Sequence, residues 1–231
     1  MTPATRAFDV AFALVLAALI AVPFLVVFAI HMLAMGRPYF YPTERMRGPQ
    51  RPFVLWKLRS MRPDRDDTGV SGGDKAARVP RWGRFLRASR LDEVPQLWNI
   101  LRGDMRLVGP RPPLRQYVER FSGLYAQVLQ RPPGITGLGT LAFHRHERRL
   151  LADCVTASET DEVYTRRCVP RKACLDLIYH RRQGLVLDAL ILIWTVQTLA
   201  LRRRQRLWRV RPAVAMQRRG KAVEPVPGLT A

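Results

Sequence analysis

The sequence predicts a helix-rich α+β protein held at a membrane, and three observations carry that prediction. No charged side chain occurs from Val10 to Ala34, a length readable as a membrane helix. Phe53 to Met61 has a short, β-like apolar character, while the stretches after Pro80 and Leu114 space their apolar residues as helices do. At 231 residues the chain has room for one modest domain beside a membrane element.

The apolar segment is a poor signal peptide, being long and lacking a small-residue cleavage site after it. Pro23 falls near its middle, where a proline removes a backbone hydrogen bond and clashes with the preceding turn. Each half is about 12 residues, roughly 18 Å of helix, too short for a ~30 Å hydrocarbon core. Physics alone leaves two forms open: a re-entrant hairpin that enters and leaves by one face, and a kinked span. Arg37, Arg45, Arg47, Arg51, Lys57 and Arg59 crowd the C-terminal flank, which places the chain beyond the segment in the cytoplasm.

Gly36 to Pro52, rich in proline and aromatics, reads as a connector along the surface, and Arg62 to Lys75 as a polar loop. The DRDD run in that loop offers carboxylates for a metal, although solvated loop carboxylates are far commoner. Arg81, Arg84 and Arg87 recur at helical spacing and predict a cationic face. Leu91, Val94, Leu97, Trp98 and Leu101 predict an amphipathic helix, with Ser89 or Asp92 as N-cap, Pro95 in the first turn and Gly103 as terminator. Asp92 and Glu93 then lie at a helix start beside the arginines, a setting that favours carboxylate and phosphate groups. Arg106 to Val108 reads as a strand ending in the rigid GPRPP loop. Leu114 to Leu129 reads as one helix burying Tyr117, Val118, Phe121, Tyr125 and Val128, and Arg131 to Thr140 as a turn-rich loop. Leu185 to Leu201 is apolar but short and carries Asp188, so it is an interfacial or core helix. From Arg202 to Lys221 there are nine basic residues and no acid, the pattern of a polybasic patch on anionic lipid.

The net charge of +21, from 39 Lys and Arg against 18 Asp and Glu, calls for an anionic partner: nucleic acid, acidic lipid or a phosphorylated substrate. No nucleic-acid-binding motif accompanies the charge, and no nucleic-acid partner is expected. Cys154, Cys168 and Cys174 are odd in number and form no CxxC pair, which argues for reduced thiols rather than a disulfide framework. His144, His146 and Glu147 lack further ligands at defined spacing and are weak evidence for a metal. Tyr39, Tyr41 and Trp194 read as interface anchors or core. An acidic pair at a helix start is by itself usually an answer to the helix dipole, so spacing alone leaves Asp92 and Glu93 as capping or catalytic groups.

FVLWKLRSM, RVPRWGRFLRASRLDEVPQLWNILRGDMRLVGPRP, RPPGITGLGT and DLIYHRRQGLVLD, with TRAFDV at the start, together resemble the bacterial sugar transferases, the monotopic polyprenyl-phosphate phosphoglycosyl transferases. The likeness extends over roughly residues 5 to 200. It implies a re-entrant N-terminal hairpin (residues 1–36), a small cytosolic catalytic domain (37–201) and a basic tail (202–231), with amphipathic helices on the inner-membrane surface. It also implies transfer of a phosphosugar from a UDP-sugar to polyprenyl (undecaprenyl) phosphate, the start of an exopolysaccharide or lipopolysaccharide. Asp92 maps onto the family's nucleophile, which forms a covalent phosphosugar intermediate and releases UMP, and Glu93 completes the dyad. Magnesium is implied, with Asp92 and Glu93 as the candidate ligands, Glu93 serving as metal ligand or positioning group. Attack on a diphosphate needs an in-line nucleophile and cations to absorb charge on the oxygens. Arg87 is expected as the diphosphate clamp and Arg111 as a second contact. The chain departs from the family's pattern at Val22 (often Ser), at Arg90 (often small and polar), and in LGTLAFHR after GITG. The bland alternatives are a membrane-tethered nucleic-acid binder and a non-catalytic scaffold of the same fold.

Overall fold

The computed structural model describes residues 2–64 and 69–200. Helix α1 (Pro3–Met35) opens on Thr2, whose Oγ1 accepts from the Thr5 amide at 3.3 Å, with Pro3 in the first turn where its missing N–H is no loss. The helix continues through Pro23 as one element, long and apolar enough to cross a membrane. At 1.5 Å per residue it is roughly 50 Å long. Its two ends hold to the same folded body. Near the start, Arg6 donates to the carbonyls of Ile100 and Leu101 at 2.5 and 2.6 Å, a cation answering another helix's C-terminus. At the far end, Arg59 donates to the carbonyls of Met35 and Gly36, and buried His31 sits between Trp82 and the Tyr39 carbonyl.

The expected connector is a β-hairpin instead. Strand β1 (Thr43–Gly48) pairs antiparallel with β2 (Arg51–Leu55), Arg45 opposite Phe53, with a register irregularity between Met46 and Gly48. Proline and arginine composition hid it, because β1 buries only Met46 and Gly48 and draws its order from pairing. Beyond Leu55, residues 39–41 lie alongside 57–59, with Phe40 bridged to Leu58. A 3-10 helix, Gly73–Arg78, begins within the segment expected to be loop and runs past its end at Lys75.

Helix α2 (Arg81–Ser89) buries Gly83 and Leu86 and leaves Arg81 and Arg84 exposed, while Arg87 turns toward a cavity. Ser89 does not cap the next helix: its hydroxyl donates back to Phe85 and Leu86 and closes α2. A 3-10 turn, Leu91–Glu93, joins α2 to α3 (Gln96–Arg102). Pro95 is the N-cap of α3, so neither Ser89 nor Asp92 caps it, and Gly103 ends it in the left-handed conformation at φ +85°. Strand β3 (Arg106–Val108) pairs in parallel with β4 (Gly134–Thr136), a strand inside the expected loop. Between them, the single helix expected from 114 to 129 is two, α4 (Arg115–Arg120) and α5 (Ser122–Val128), broken at Phe121. Tyr117, Val118, Tyr125 and Val128 still form the buried face.

Helix α6 (Leu138–Ala152) begins within the same expected loop. Then come α7 (Ala157–Val163), a π-helical turn at Tyr164–Cys168, α8 (Val169–Arg182) and α9 (Leu185–Ala200). One core gathers Met46, Tyr117, Val118, Phe143, Leu151 and Cys168 under α4, α5, α6 and α8. The other gathers Ala13, Leu55, Ile100, Leu107, Tyr179 and Ile191, joining α1, β2, α3, β3, α8 and α9. Through this second core runs a buried ionic link. Arg106 donates to Asp9 at 2.8 Å and to Asp188 at 2.9 Å, and Tyr179 donates to Asp188 at 2.5 Å. The one charge that made α9 ambiguous therefore faces inward, and Val186, Ile193 and Val196 are left exposed. The basic tail lies outside the described residues, as do Arg65, Asp66 and Asp67 of the DRDD run.

Candidate active site

Asp92 and Glu93 occupy the short turn between α2 and α3, and the sequence explains its rigidity. The Asp92 carbonyl accepts from the Leu58 amide at 2.9 Å. Asn99, fully buried, accepts from the Trp56 amide at 3.1 Å and donates to the Val54 carbonyl at 2.7 Å, so its amide stands in for a strand partner at the end of β2. Those bonds fix the turn against the segment carrying Lys57. Arg90 enters the turn at φ +61°, a conformation uncommon for a residue with a side chain.

The two carboxylates have different surroundings. Glu93 Oε1 accepts from Arg111 at 2.8 Å and Arg90 at 3.1 Å, with the Lys57 ammonium at 3.7 Å. Burial opposes its charge, but Arg111, Lys57 and Arg90 prevail and hold the carboxyl well below the usual range. Asp92 is 6% exposed and its Oδ1 has no hydrogen-bond partner. Burial, then the neighbouring Glu93 charge, push its carboxyl up to about 6 against the pull of Lys57, Arg87 and Arg90. One acid is locked in ion pairs; the other is poised.

Asp92 lines a cavity of about 660 Å³ whose wall also carries Arg45, Lys57, Arg87 and Arg111. Burial and the nearby Arg111 charge lower Lys57 to about 7. Burial, with Arg111, likewise lowers Arg45 to about 10. Burial also lowers Arg87, whose guanidinium donates to Ser71 Oγ at 3.0 Å. The Glu93 charge, by contrast, raises Arg111. Tyr117, Tyr125, Tyr164, Thr140 and Asp176 line the cavity too, giving it polar and aromatic walls. A cavity lined by several cations, with the poised Asp92 carboxylate at its wall, suits a phosphorylated substrate larger than phosphate itself.

The GPRPP loop that presents Arg111 depends on a close backbone approach. A Cβ on Gly134 would meet the Gly109 amide nitrogen at 2.1 Å, so β3 and β4 pair here only because both residues are glycine.

The sequence profile of the family described as bacterial sugar transferase matches residues 2–202. The chain belongs to that family. It is 43% identical over 118 residues to a Bacillus subtilis protein provisionally assigned as an undecaprenyl-phosphate N-acetylgalactosaminyl 1-phosphate transferase, covering 50% of this chain and 65% of that one. It is 38% identical over 161 residues to a UDP-glucose:undecaprenyl-phosphate glucose-1-phosphate transferase of Caulobacter vibrioides, covering 64% and 60%. A match of 31% over 199 residues to the UDP-N-acetylgalactosamine-undecaprenyl-phosphate N-acetylgalactosaminephosphotransferase of Aeromonas hydrophila covers 80% and 42%. The chain thus spans less than two thirds of the length of each of these relatives, and their names differ in the sugar.

In this chain the four residues singled out by sequence come together: Asp92, Arg87 and Arg111 at the cavity, with Glu93 behind them. Sequence reasoning missed Lys57 and Arg45, which it used only as topological charges. A lysine inside an apolar, strand-like run was the available signal. Among the described residues no three His, Cys, Asp or Glu gather as a metal site, while His146 contacts Arg171 and Glu147 pairs with Lys172 at 2.9 Å. A magnesium ion needs no such cluster, since it binds through one or two carboxylates plus substrate phosphates. The partnerless Oδ1 of Asp92 fits that role; the Oε1 of Glu93 is already held by cations.

Proposed function

We propose that this chain transfers a sugar 1-phosphate from a UDP-sugar to polyprenyl (undecaprenyl) phosphate, with Asp92 as nucleophile. The observation that carries the reading is the buried, partnerless Asp92 oxygen at the wall of a cation-lined cavity. The Asp92 carboxylate attacks the phosphorus bearing the sugar, and the bond from that phosphorus to the bridging oxygen breaks to release UMP. An oxygen of polyprenyl phosphate then attacks the same phosphorus, the aspartyl–phosphorus bond breaks, and the carboxylate returns. Lys57, Arg87, Arg45 and Arg111 absorb charge on the diphosphate oxygens. Glu93 orients Arg111, Arg90 and Lys57 rather than reacting. Magnesium would be held by Asp92 together with the substrate phosphates, and would supply further neutralisation of the diphosphate.

The hold of both ends of α1 on one body, with Val22 and Pro23 exposed between them, supports a helix that enters and leaves by one membrane face. The basic flank supports the cytoplasmic face of a bacterial inner membrane as that side. The product is a sugar-diphospholipid on which a surface glycan is begun.

The test is UMP release from UDP-glucose, UDP-galactose and UDP-N-acetylgalactosamine, with polyprenyl phosphate and Mg²⁺, by wild type and Asp92→Asn. UMP from wild type alone, with sugar on the lipid, supports the reading; equal release by both proteins removes Asp92 as nucleophile.

A further inference from the structure

Aromatic rings run without a gap from the middle of α1 to the ribbon that carries Lys57. Phe24 and Phe28 lie 6.2 Å apart between centroids, Phe28 and Phe40 5.5 Å, and Phe40 and Trp56 6.3 Å. The path begins one residue beyond Pro23, inside the uncharged segment, and ends one residue before Lys57. Its last step is made by the short ribbon in which Tyr41 N donates to the Lys57 carbonyl, Arg59 N donates to the Tyr39 carbonyl, and Phe40 is bridged to Leu58. Side chains alternate across such a ribbon. Phe40 and Trp56 therefore share one face with Leu58, and Tyr41, Lys57, Leu58 and Arg59 line the cavity with Asp92.

We propose that this ring path seats the first isoprenoid units of the polyprenyl carrier and delivers its phosphate over the ribbon edge to Lys57. The inference rests on the transferase reading and adds the place where the lipid lies. One ribbon, carrying the rings of Phe40 and Trp56 beside the cations of Lys57 and Arg59, matches a molecule with a long apolar chain and one phosphate. The path is a single file of rings, which suits one chain rather than the paired acyl chains of a bilayer phospholipid. Phe40 is 38% exposed, so the path is open to a ligand where it reaches the ribbon. Isoprenoid methyl and methylene groups gain apolar burial against each ring they cross.

The experiment uses the full chain in nanodiscs of phosphatidylethanolamine and phosphatidylglycerol, with a polyprenyl phosphate carrying a diazirine in its first isoprenoid units. Adducts mapped by mass spectrometry are expected at Phe28, Phe40 and Trp56. Phe40→Ala lowers their yield about tenfold, the equivalent of about 1.4 kcal/mol. Val186→Ala, an exposed apolar position on α9 away from the path, leaves the yield as in wild type. Unlabelled polyprenyl phosphate displaces the probe, and added phosphatidylglycerol does not. Adducts spread over α9, an unchanged yield in Phe40→Ala, or equal displacement by phosphatidylglycerol overturns the proposal. UMP release, read on the same preparations, reports separately on the transferase reading: normal turnover with misplaced adducts sinks only the lipid path.

Discussion

Replacing Asp92 by asparagine should stabilise the fold while abolishing turnover. A carboxyl whose ordinary value is 3.8 and which stands at about 6 when folded is penalised for ionising by about 3 kcal/mol, since each pH unit is ~1.4 kcal/mol. The sign comes from the direction of the shift. The penalty is absent below pH 3.8, grows as the pH rises toward 6, and is complete above it. Asparagine removes the charge but places an amide donor among Lys57, Arg87 and Arg90, so the net gain at pH 7.5 should be nearer about 2 kcal/mol. For a chain of this size that corresponds to a rise in melting temperature of roughly 4–8 °C. The assay is thermal unfolding in detergent at pH 7.5 and pH 5, wild type against variant. The gap between the two proteins should narrow by about half at pH 5. A variant less stable than wild type at pH 7.5, or a gap that does not depend on pH, refutes the account of Asp92 as a poised, buried charge.

The pH dependence of kcat/KM should be bell-shaped, rising near pH 6 as Asp92 ionises and falling near pH 7 as Lys57 loses its proton, and Lys57→Arg should remove the alkaline limb. Arg106→Leu leaves Asp9 and Asp188 buried without their shared cation, and should cost about 3–5 kcal/mol in chemical denaturation. Gly134→Ala forces β3 and β4 apart where a Cβ would stand 2.1 Å from the Gly109 nitrogen. It should cost about 2 kcal/mol or more in melting experiments and lower turnover by displacing Arg111.

The parts legible in the sequence are those that one residue type or one periodicity decides. The uncharged run gave α1, the helical stripe gave α3 with Gly103 as its stop, and Arg106 to Val108 was read as the strand it is. The site pair was legible through its surrounding motif, not through its own chemistry, because the different roles of these two carboxylates are set by what folds around them. What stayed hidden depends on pairing at a distance. Strand β1 has one buried apolar side chain and is ordered by β2; β4 is three residues held by β3. Lys57 and Arg45 looked like topological charges because their burial is created by the hairpin that was missed. Phe121 broke an expected helix that its apolar spacing favoured, and the spacing survives across the break in Tyr117 and Tyr125.

The most direct test of the central claim is to trap the intermediate. The protein is incubated with a panel of UDP-sugars and Mg²⁺ without polyprenyl phosphate, quenched, digested and analysed by mass spectrometry. A sugar-phosphate mass on the peptide containing Asp92, absent in Asp92→Asn and discharged by adding polyprenyl phosphate, is the predicted result. Turnover to the lipid product with no adduct on Asp92, or with the adduct on another residue, contradicts it.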